Sequence, residues 1–327
     1  MTLPAHPTLG TIRDAQEQLR GRVRRTPTID LSDTGLADLA PGVTRLAAKF
    51  ELWQHTGSFK PRGALMVLES LTDEQRARGV VGFSAGNHAL ALSWAASQAR
   101  STATVVMPRT ADPSRIDRVR ASGATVELVG SVHEAQARVQ ALSSDHGLSI
   151  VHPFEGPFTV LGTATVGAEM CQDTEPTDLV VVPIGGGGLC AGVAAAAKLL
   201  WPNCTVIGVE PTGADTMRRS LESGSPQAIE SVRTIADSLG APNAEPYTFD
   251  VCRRFVDEVV TVEDTDLIES MRVLHAELKL VAEPAGAATT AAFLGPLKER
   301  VRGQSLSLIF CGSNVDPQKH ADWVHPV

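Results

Sequence analysis

The sequence of 327 residues predicts an α/β fold with largely parallel sheets. Three observations carry this prediction. Short apolar runs alternate with Ala-rich segments of helical pattern, hydrophobic residues make up 43% of the chain, and loops rich in small residues follow several of the apolar runs. Strands that alternate with helices of this length are typical of parallel sheets, because parallel strands are joined by crossover helices.

Eight apolar runs are candidate strands. They are Leu46–Phe50, Val80–Phe83, Thr102–Met107, Thr125–Leu128, Leu179–Ile184, Val206–Glu210, Glu258–Val262 and Leu306–Phe310. The helical segments between them include His88–Arg100, Ser131–Ser143, Leu189–Leu200 and Asp264–Leu280. Ligands of such folds bind beyond the carboxyl ends of the strands, so the loops that follow strands are the candidate sites.

Composition and charge argue against several classes of protein. The formal net charge is −8 and no basic block is present, which argues against a nucleic-acid partner. No apolar run approaches the roughly 18 residues of a membrane span, and the N-terminus shows no secretory signal. The five cysteines lack CxxC spacing, which favours free thiols in a cytoplasmic protein. They are Cys171, Cys190, Cys204, Cys252 and Cys311.

A glycine loop follows the strand predicted at Leu179–Ile184. Residues 185–188 are four consecutive glycines, and an Ala-rich helix follows them. Glycines let backbone N–H groups turn inward, and the start of a helix adds unpaired donors, so the loop predicts a phosphate site. It is not a P-loop, because no Lys-Ser/Thr follows the last glycine.

A dinucleotide fold is an alternative for the same region. Glu210 ends the later strand in VIGVEP, about where a ribose-binding acid is expected in that fold. The four glycines match GxGxxG poorly, however, and they lie in the middle of the chain. The glycine loop alone predicts only that a phosphate group binds there.

A second strand-to-helix loop contains Ser84-Ala85-Gly86-Asn87-His88. Asn87 could offer an amide donor to a ring hydroxyl, and N–H groups around Gly86 could hold a carboxylate. The alternative is an ordinary turn in which Ser84 caps the helix and His88 is a packed residue at its start. The loop by itself does not decide between these two interpretations.

A lysine directly precedes a proline in HTGSFKPRGA, residues 55–64. Pro61 suits the first position of a helix, which would place Lys60 at the N-cap, beside the positive end of the dipole. That position disfavours an ammonium ion and favours a neutral amine, the form that attacks a carbonyl to make a Schiff base. The alternative is a solvated surface lysine, but the flanking residues are mostly small or apolar.

A fourth element is the strand predicted at Leu306–Phe310, which leads into Cys311. A neutral thiol beside a heteroaromatic nitrogen would leave that nitrogen unprotonated; the alternative is a buried core thiol. An imine-forming lysine, a phosphate loop, a donor for a ring hydroxyl and a mild partner for a ring nitrogen together match the requirements of pyridoxal phosphate.

Seven segments resemble the fold-type II pyridoxal-phosphate enzymes, specifically the serine/threonine dehydratase and serine racemase family. They are RRTPTIDLS, HTGSFKPRGA, FSAGNHALAL, VVPIGGGGLCAG, GVEPTGAD, KLVAEPAGAA and FCGSNVD, and they extend over nearly the whole chain. The resemblance implies a tryptophan synthase β-subunit-like fold, with two three-layer α/β domains and the cofactor between them. It implies a small domain of residues 52–150, a large domain of residues 1–51 and 151–327, and a homodimer.

The resemblance also implies the roles of individual residues. Lys60 would carry the cofactor as a Schiff base and act as the catalytic residue, Asn87 would bond the ring hydroxyl, and Cys311 would face the pyridine nitrogen. The residues implied to bind the cofactor are Phe59, Lys60, Asn87, Gly185, Gly186, Gly187, Gly188, Leu189, Glu283 and Cys311. Those implied to receive the substrate are Ser84, Ala85, Asn87 and His88.

Two departures from the family pattern bear on function. Racemases of the family have a serine where Ala85 stands, so racemisation is disfavoured here. Glu210 and Ala214 match a site for Mg²⁺ or another divalent cation, but Thr216 stands where the third ligand, an acid, is expected.

The predicted activity is elimination of water from a small β-hydroxy amino acid, such as L-threonine or L-serine, to give a 2-oxo acid and ammonia. The alternatives within the family are serine racemisation and dehydration of a larger hydroxy amino acid, such as phenylserine or hydroxyaspartate. From other classes, a nicotinamide-dependent oxidoreductase and a non-catalytic binding protein remain. The expected partner is a small-molecule amino acid, with no nucleic acid and no membrane.

Overall fold

The computed structural model describes residues 4–325, which contain ten strands and fourteen α-helices within that range. The strands are β1 (Thr28–Asp30), β2 (Arg45–Lys49), β3 (Val80–Phe83), β4 (Ala103–Pro108), β5 (Thr125–Val129), β6 (Ser149–Ile150), β7 (Leu179–Pro183), β8 (Thr205–Pro211), β9 (Glu258–Val262) and β10 (Ser305–Ile309). The helices are α1 (Leu9–Leu19), α2 (Gly35–Asp38), α3 (Lys60–Ser70), α4 (Asp73–Arg78), α5 (Asn87–Gln98), α6 (Pro113–Ala121), α7 (Val132–His146), α8 (Pro157–Asp173), α9 (Gly188–Leu200), α10 (Thr216–Ser223), α11 (Pro246–Phe255), α12 (Asp264–Leu278), α13 (Pro284–Leu294) and α14 (Pro317–Val324).

The strands form two sheets. The larger sheet has the order β1-β2-β10-β7-β8-β9, and the smaller has the order β5-β4-β3-β6. All neighbouring strands are parallel except β1, which runs antiparallel to β2. The prediction of an α/β fold with largely parallel sheets is confirmed.

All eight predicted strands are present, and each boundary agrees to within one residue. The two strands that the sequence did not indicate are β1 and β6, which have three and two residues and lie at the outer edges of their sheets. So short a strand contains no apolar run, and its extended shape depends on pairing with the neighbouring strand.

Side chains alternate between the two faces of the smaller sheet, as strand geometry requires. Val80 packs into a cluster with Leu65 of α3 and Leu92 of α5. The next residue, Val81, packs into a separate cluster with Val139 of α7. Helices therefore cover both faces, and this half of the molecule has three layers.

The strands of the smaller sheet come from residues 80–150, whereas those of the larger sheet come from residues 28–49 and 179–309. This division supports the proposal that residues 52–150 form a small domain inserted in a larger one. Within the described range, no helix is both long and apolar enough to cross a membrane.

A fully buried ionic cluster fixes the start of α3. The Arg62 side chain has 0% exposure and donates to both oxygens of Glu51, at 2.8 and 2.9 Å. It also donates to both oxygens of Glu169 on α8, at 2.8 and 2.7 Å. Lys49 at the end of β2 donates to the same Glu169 at 2.8 Å. Two cations and two carboxylates thus compensate one another inside the protein.

The charges of this cluster depend on one another. Burial alone would raise the pKa of Glu169, but the Arg62 guanidinium and the Lys49 ammonium hold that pKa below its usual value. A buried pair of this kind contributes little net stability relative to apolar packing, but loss of one partner leaves an uncompensated charge. The cluster therefore specifies where α3 lies relative to β2 and α8.

The substitution Arg62→Met tests this dependence. It removes the cation that neutralises Glu51 and Glu169, so we expect the free energy of unfolding to fall by about 3–5 kcal/mol. The matched control is Arg138→Met, because Arg138 pairs with Glu127 at a site where their side chains are 40% and 30% exposed. Its loss should cost far less, because solvent screens an exposed ion pair. Urea denaturation followed by circular dichroism measures both, and equal losses in the two variants would contradict the role of Arg62.

Candidate active site

The loops that follow strands of both sheets meet around one cavity, between the two halves of the molecule. Most of the predicted site residues line it. They are Phe59, Lys60, Asn87, His88, Gly185, Gly186, Gly187, Gly188, Leu189, Glu283 and Cys311. The structure thus brings together residues that lie up to 252 positions apart in the sequence, from Phe59 to Cys311.

Two predicted residues, Ser84 and Ala85, are not part of this lining. The Ser84 hydroxyl accepts a hydrogen bond from the Gly86 N–H at 3.1 Å, so the turn of the alternative interpretation is present. The N-cap of α5 is Gly86, however, so Ser84 does not cap the helix as that interpretation expected. Ala85 lines a neighbouring cavity instead. The loop still leads into α5, whose first N–H groups have no partner inside the helix. Its predicted contact with a substrate carboxylate stays a prediction.

Lys60 presents an amine to the cavity. Its Nζ donates to the Pro153 carbonyl oxygen at 2.6 Å. Burial lowers the pKa of Lys60 from 10.5 to about 8, although Cys311 and Glu283 oppose that shift. The uncharged fraction of the amine near neutral pH is therefore much larger than for an ordinary lysine, and this is the form that attacks a carbonyl.

The position of Lys60 differs by one residue from the prediction. The helix α3 begins at Lys60, and Phe59 is its N-cap with helical backbone angles. The Arg62 N–H bonds to the Phe59 carbonyl at 3.1 Å, which extends the helical turn back past the proline. Lys60 therefore lies in the first turn rather than at the cap, still at the positive end of the helix dipole.

Two histidines near Lys60, the buried His88 and the half-buried His152, are uncharged at neutral pH. Burial, followed by the positive charge of Lys60, lowers the pKa of His88 to about 3 and that of His152 to about 4. The His88 Nε2 lies 2.9 Å from the Val151 carbonyl oxygen, which can only accept, so Nε2 carries the proton. His88 is therefore a packed residue at the start of α5, as in the second interpretation of its loop.

The four glycines are required by their neighbours. A Cβ on Gly186 would lie 2.2 Å from the ring of Phe154, and one on Gly188 would lie 2.5 Å from the Phe154 carbonyl oxygen. Gly187 has a φ of 92°, which a side chain would strain. Because α9 begins at Gly188, its unpaired N–H groups and positive dipole end meet the loop. The loop can bind an anion.

Asn87 and Glu283 contact each other across the cavity. The Asn87 Nδ2 donates to Glu283 Oε1 at 2.6 Å and to Ser238 Oγ at 3.2 Å. The other oxygen, Oε2 of Glu283, is buried with no hydrogen-bond partner. Burial, followed by the charge of Asp237, raises the pKa of Glu283 to about 7. A buried carboxyl oxygen without a partner in the protein can accept a hydrogen bond from a group bound in the cavity.

Cys311 supplies a neutral thiol. Burial, reinforced by the nearby Glu283, raises the pKa of Cys311 well above its usual value. Its Sγ donates to the Ala285 carbonyl oxygen at 3.3 Å, so the thiol hydrogen has a partner in the protein. A thiol held in this state cannot protonate a ring nitrogen.

These residues fit pyridoxal phosphate. The glycine loop suits its phosphate, the amine of Lys60 suits its aldehyde, and the unpartnered Glu283 oxygen leaves a polar position open on the side of Asn87. Lys60 is the only lysine or arginine that lines this cavity in the described chain. No second cation competes with it for the carbonyl.

The predicted divalent-cation residues lie outside the cavity and do not fit a cation. The two oxygens of Glu210 accept the N–H groups of Met217 and Arg218, each at 2.8 Å, and burial raises the pKa of Glu210 to about 8. The adjacent Asp215 pairs with Arg218 and Arg219. Arginines thus surround the acid nearest to Glu210, and residues 4–325 hold no group of three or more metal-binding side chains.

Several lining residues were not singled out from the sequence as site residues. Phe154 covers the glycine loop, and Ser238 bonds Asn87. Neither residue lies in one of the seven segments that carry the family resemblance, so no motif marked them. Their contacts depend on packing between distant loops.

Comparison with known proteins assigns the chain to a family. A family profile described as "Pyridoxal-phosphate dependent enzyme" matches residues 19–312. A phenylserine dehydratase of Ralstonia pickettii is 46% identical over 310 residues, covering 95% of this chain and 94% of that protein. An L-threonine ammonia-lyase of Thermotoga maritima is 38% identical over 313 residues, covering 94% of this chain and 76% of that protein.

The solved structure of maize serine racemase superposes with a TM-score of 0.91 at 33% identity, covering 97% of this chain and 96% of that one. The resemblance read from the seven sequence segments is thereby confirmed, as are the fold class and the cofactor. The chain belongs to the family of pyridoxal-phosphate dependent enzymes.

Proposed function

We propose that the protein is an ammonia-lyase that eliminates water from a β-hydroxy amino acid with an uncharged side chain, of the L-threonine or L-serine type. The observation that carries the proposal is the amine of Lys60, with a pKa of about 8, which lines the same cavity as the glycine loop. When bound, pyridoxal phosphate supplies an electron sink for the negative charge left at Cα after proton loss.

Lys60 performs the proton transfer in this proposal. Lys60 would hold the cofactor at its aldehyde, and its Nζ, as the free amine, would take the Cα proton as general base. The lowered pKa suits that task, because it leaves far more of the amine unprotonated near neutral pH than an ordinary lysine would have. Loss of the β-hydroxyl as water and hydrolysis of the resulting enamine give a 2-oxo acid and ammonia.

The other residues bind and orient. We propose that residues 185–189 hold the phosphate, Asn87 bonds the ring hydroxyl, and Cys311 faces the ring nitrogen as a neutral thiol. The N–H groups at the start of α5 would receive the substrate carboxylate. Ala85 has no exchangeable proton for a second acid or base in that loop, which supports elimination over racemisation.

The lining supports an uncharged β-substituent. Ala64, Phe154 and Leu239 contribute apolar surface to the cavity, and Lys60 is its only lysine or arginine within the described chain. The second carboxylate of a hydroxyaspartate would therefore lack a cationic partner there, which is costly in a buried site. A phenylserine-type substrate is the second candidate, favoured by the 46% identical phenylserine dehydratase.

We further propose that the enzyme is a cytoplasmic homodimer. The family resemblance supports the dimer, and the five free cysteines are consistent with a reducing compartment. Light scattering of the purified enzyme measures whether it is a dimer.

A panel of β-hydroxy amino acids tests the proposed activity. Release of 2-oxo acid should be fastest, by kcat/KM, with L-threonine or L-serine, or with phenylserine if the second candidate is right, and slowest with hydroxyaspartate. Serine racemisation, followed by chiral chromatography in the same samples, should be minor. Racemisation without release of 2-oxo acid, or hydroxyaspartate as the best substrate, would refute the proposal.

Substitution of Lys60 tests its double role. We expect Lys60→Ala to lower kcat by about 100- to 10,000-fold, because the general base is lost. Borohydride treatment should label native protein at Lys60 and leave the variant unlabelled, as peptide mass analysis would show. Substantial turnover by a folded Lys60→Ala variant, or labelling of another lysine in native protein, would remove Lys60 from this role.

The pKa of Lys60 predicts how cofactor capture depends on pH. Only the neutral amine attacks the aldehyde, so the rate at which cofactor-free enzyme captures pyridoxal phosphate should rise with pH and level off near the pKa of about 8. An ordinary lysine would continue to accelerate up to about pH 10.4. The rate for Nα-acetyl-lysine, divided by the neutral fraction of that amine, gives the aldehyde's own pH dependence and corrects the enzyme's rates for it. A corrected rate that still rises steadily above about pH 9 would contradict the lowered pKa.

A further inference from the structure

Asn314 connects three parts of the molecule that converge on the cofactor cavity. It follows β10, is 8% exposed and does not itself line that cavity. Its Nδ2 donates to the Asn87 Oδ1 and to the Thr56 carbonyl oxygen, each at 2.7 Å. Its Oδ1 accepts from the Arg118 guanidinium at 3.1 Å. Both amide hydrogens and the amide oxygen are thus in use.

The bond to Asn87 determines which way that amide faces. Because Asn314 presents a donor, the atom of Asn87 that meets it must be the oxygen. The Asn87 Nδ2 then faces Glu283 and Ser238, at 2.6 and 3.2 Å. A reversed Asn87 amide would set two donors against each other and its oxygen against the Glu283 carboxyl oxygen. Asn314 therefore excludes the reversed orientation.

The bond to Thr56 holds a strained turn. Thr56 is β-branched and has a φ of 62° and a ψ of 10°, a conformation that such residues rarely adopt. It lies four residues before Lys60. The next residue is Gly57, where a Cβ would lie 2.9 Å from the Asn314 Oδ1, so the turn is packed directly against this side chain. Asn314 thus fixes the path of the chain that leads to the lysine.

The third connection reaches α6, on the smaller sheet. Arg118 bonds the Asn314 side chain, and Arg115 Nη2 donates to the Asn314 backbone oxygen at 3.1 Å. Arg115 also pairs with Asp237, the neighbour of Ser238. The two arginines therefore connect the small-sheet half of the molecule to the same residue that orients Asn87.

We propose that Asn314 is a positioning residue of the cofactor site, which acts by fixing the amide orientation of Asn87. Its contact with α6 is a tether that can be separated from this action. The proposal rests on the proposed contact between Asn87 and the cofactor ring. Its test requires no substrate, so failure of the proposed elimination activity would leave the result unaffected.

The substitution Asn314→Asp separates the two roles. Aspartate has the same shape and retains the Arg118 contact as an ion pair, but at neutral pH it donates no hydrogen bond. It would repel the Asn87 oxygen and favour the reversed amide. We expect the absorption maximum of the bound cofactor to shift and its apparent dissociation constant to rise by about tenfold, as for the loss of one or two hydrogen bonds.

Two further variants provide the controls. Arg118→Met removes the side-chain contact of the tether and leaves the Arg115 bond to the backbone and both Asn314 donors in place. The dissociation constant of the cofactor should therefore stay within about twofold of the native value, with an unchanged spectrum. Asn203→Asp makes the same chemical change at an exposed position and should alter neither quantity. Melting temperatures of all variants report whether they fold.

If Asn314→Asp does not fold, Asn314→Ser replaces it, since its shorter side chain cannot span to Asn87, and the same spectral shift is expected. Adding Thr56→Gly to either Asn314 variant relieves the strained turn. The double variant then shows whether the lost bond to Asn87 or the lost bond to Thr56 causes the spectral shift. If the spectrum remains shifted in the double variant, Asn314 acts through Asn87. A native spectrum and dissociation constant in Asn314→Asp, or their restoration by Thr56→Gly, would overturn the proposal.

Discussion

The buried cluster around Arg62 is the constraint on which the rest of the site depends. Arg62 is two residues from Lys60, and its guanidinium engages carboxylates that belong to different elements, Glu51 after β2 and Glu169 on α8. A guanidinium that bonds two carboxylates through both of its edges allows few positions for the helix that carries it. The reactive amine is thereby placed by an ionic contact that contributes no chemistry of its own.

The site is built where strands of two sheets end. The strand β7 leads to the glycine loop and β3 leads to the loop before Asn87, while β10 leads to Cys311. Each loop is short and lies between regular elements, so its residues are held by packed strands and helices on either side. Lys60 arrives after a longer path, through two short 3₁₀ turns and the strained Thr56. The segment between β2 and Lys60 therefore depends most on contacts from other parts of the chain to hold its conformation.

Much of this arrangement was predictable from the sequence, and the limits have physical causes. The buried strands and the glycine loop are local patterns, since continuous apolar runs and consecutive glycines have few other uses in a folded chain. The contacts of Arg62 and Asn314 join residues 107 and 227 positions apart, and no local pattern encodes such a pairing. The loop of Ser84 shows the same limit. The loop was identified from the sequence, but which of its residues line the cavity depends on the geometry of the turn, which the sequence did not specify.

The contact between Phe154 and Gly186 has a consequence for altering this enzyme. The ring occupies the space that any side chain at residue 186 would need, at 2.2 Å from the position of a Cβ. A side chain at residue 186 is therefore sterically permitted only when residue 154 becomes smaller than phenylalanine. Directed evolution that randomises the two positions separately will recover only glycine at 186, whereas joint libraries can reach enzymes with a reshaped cavity.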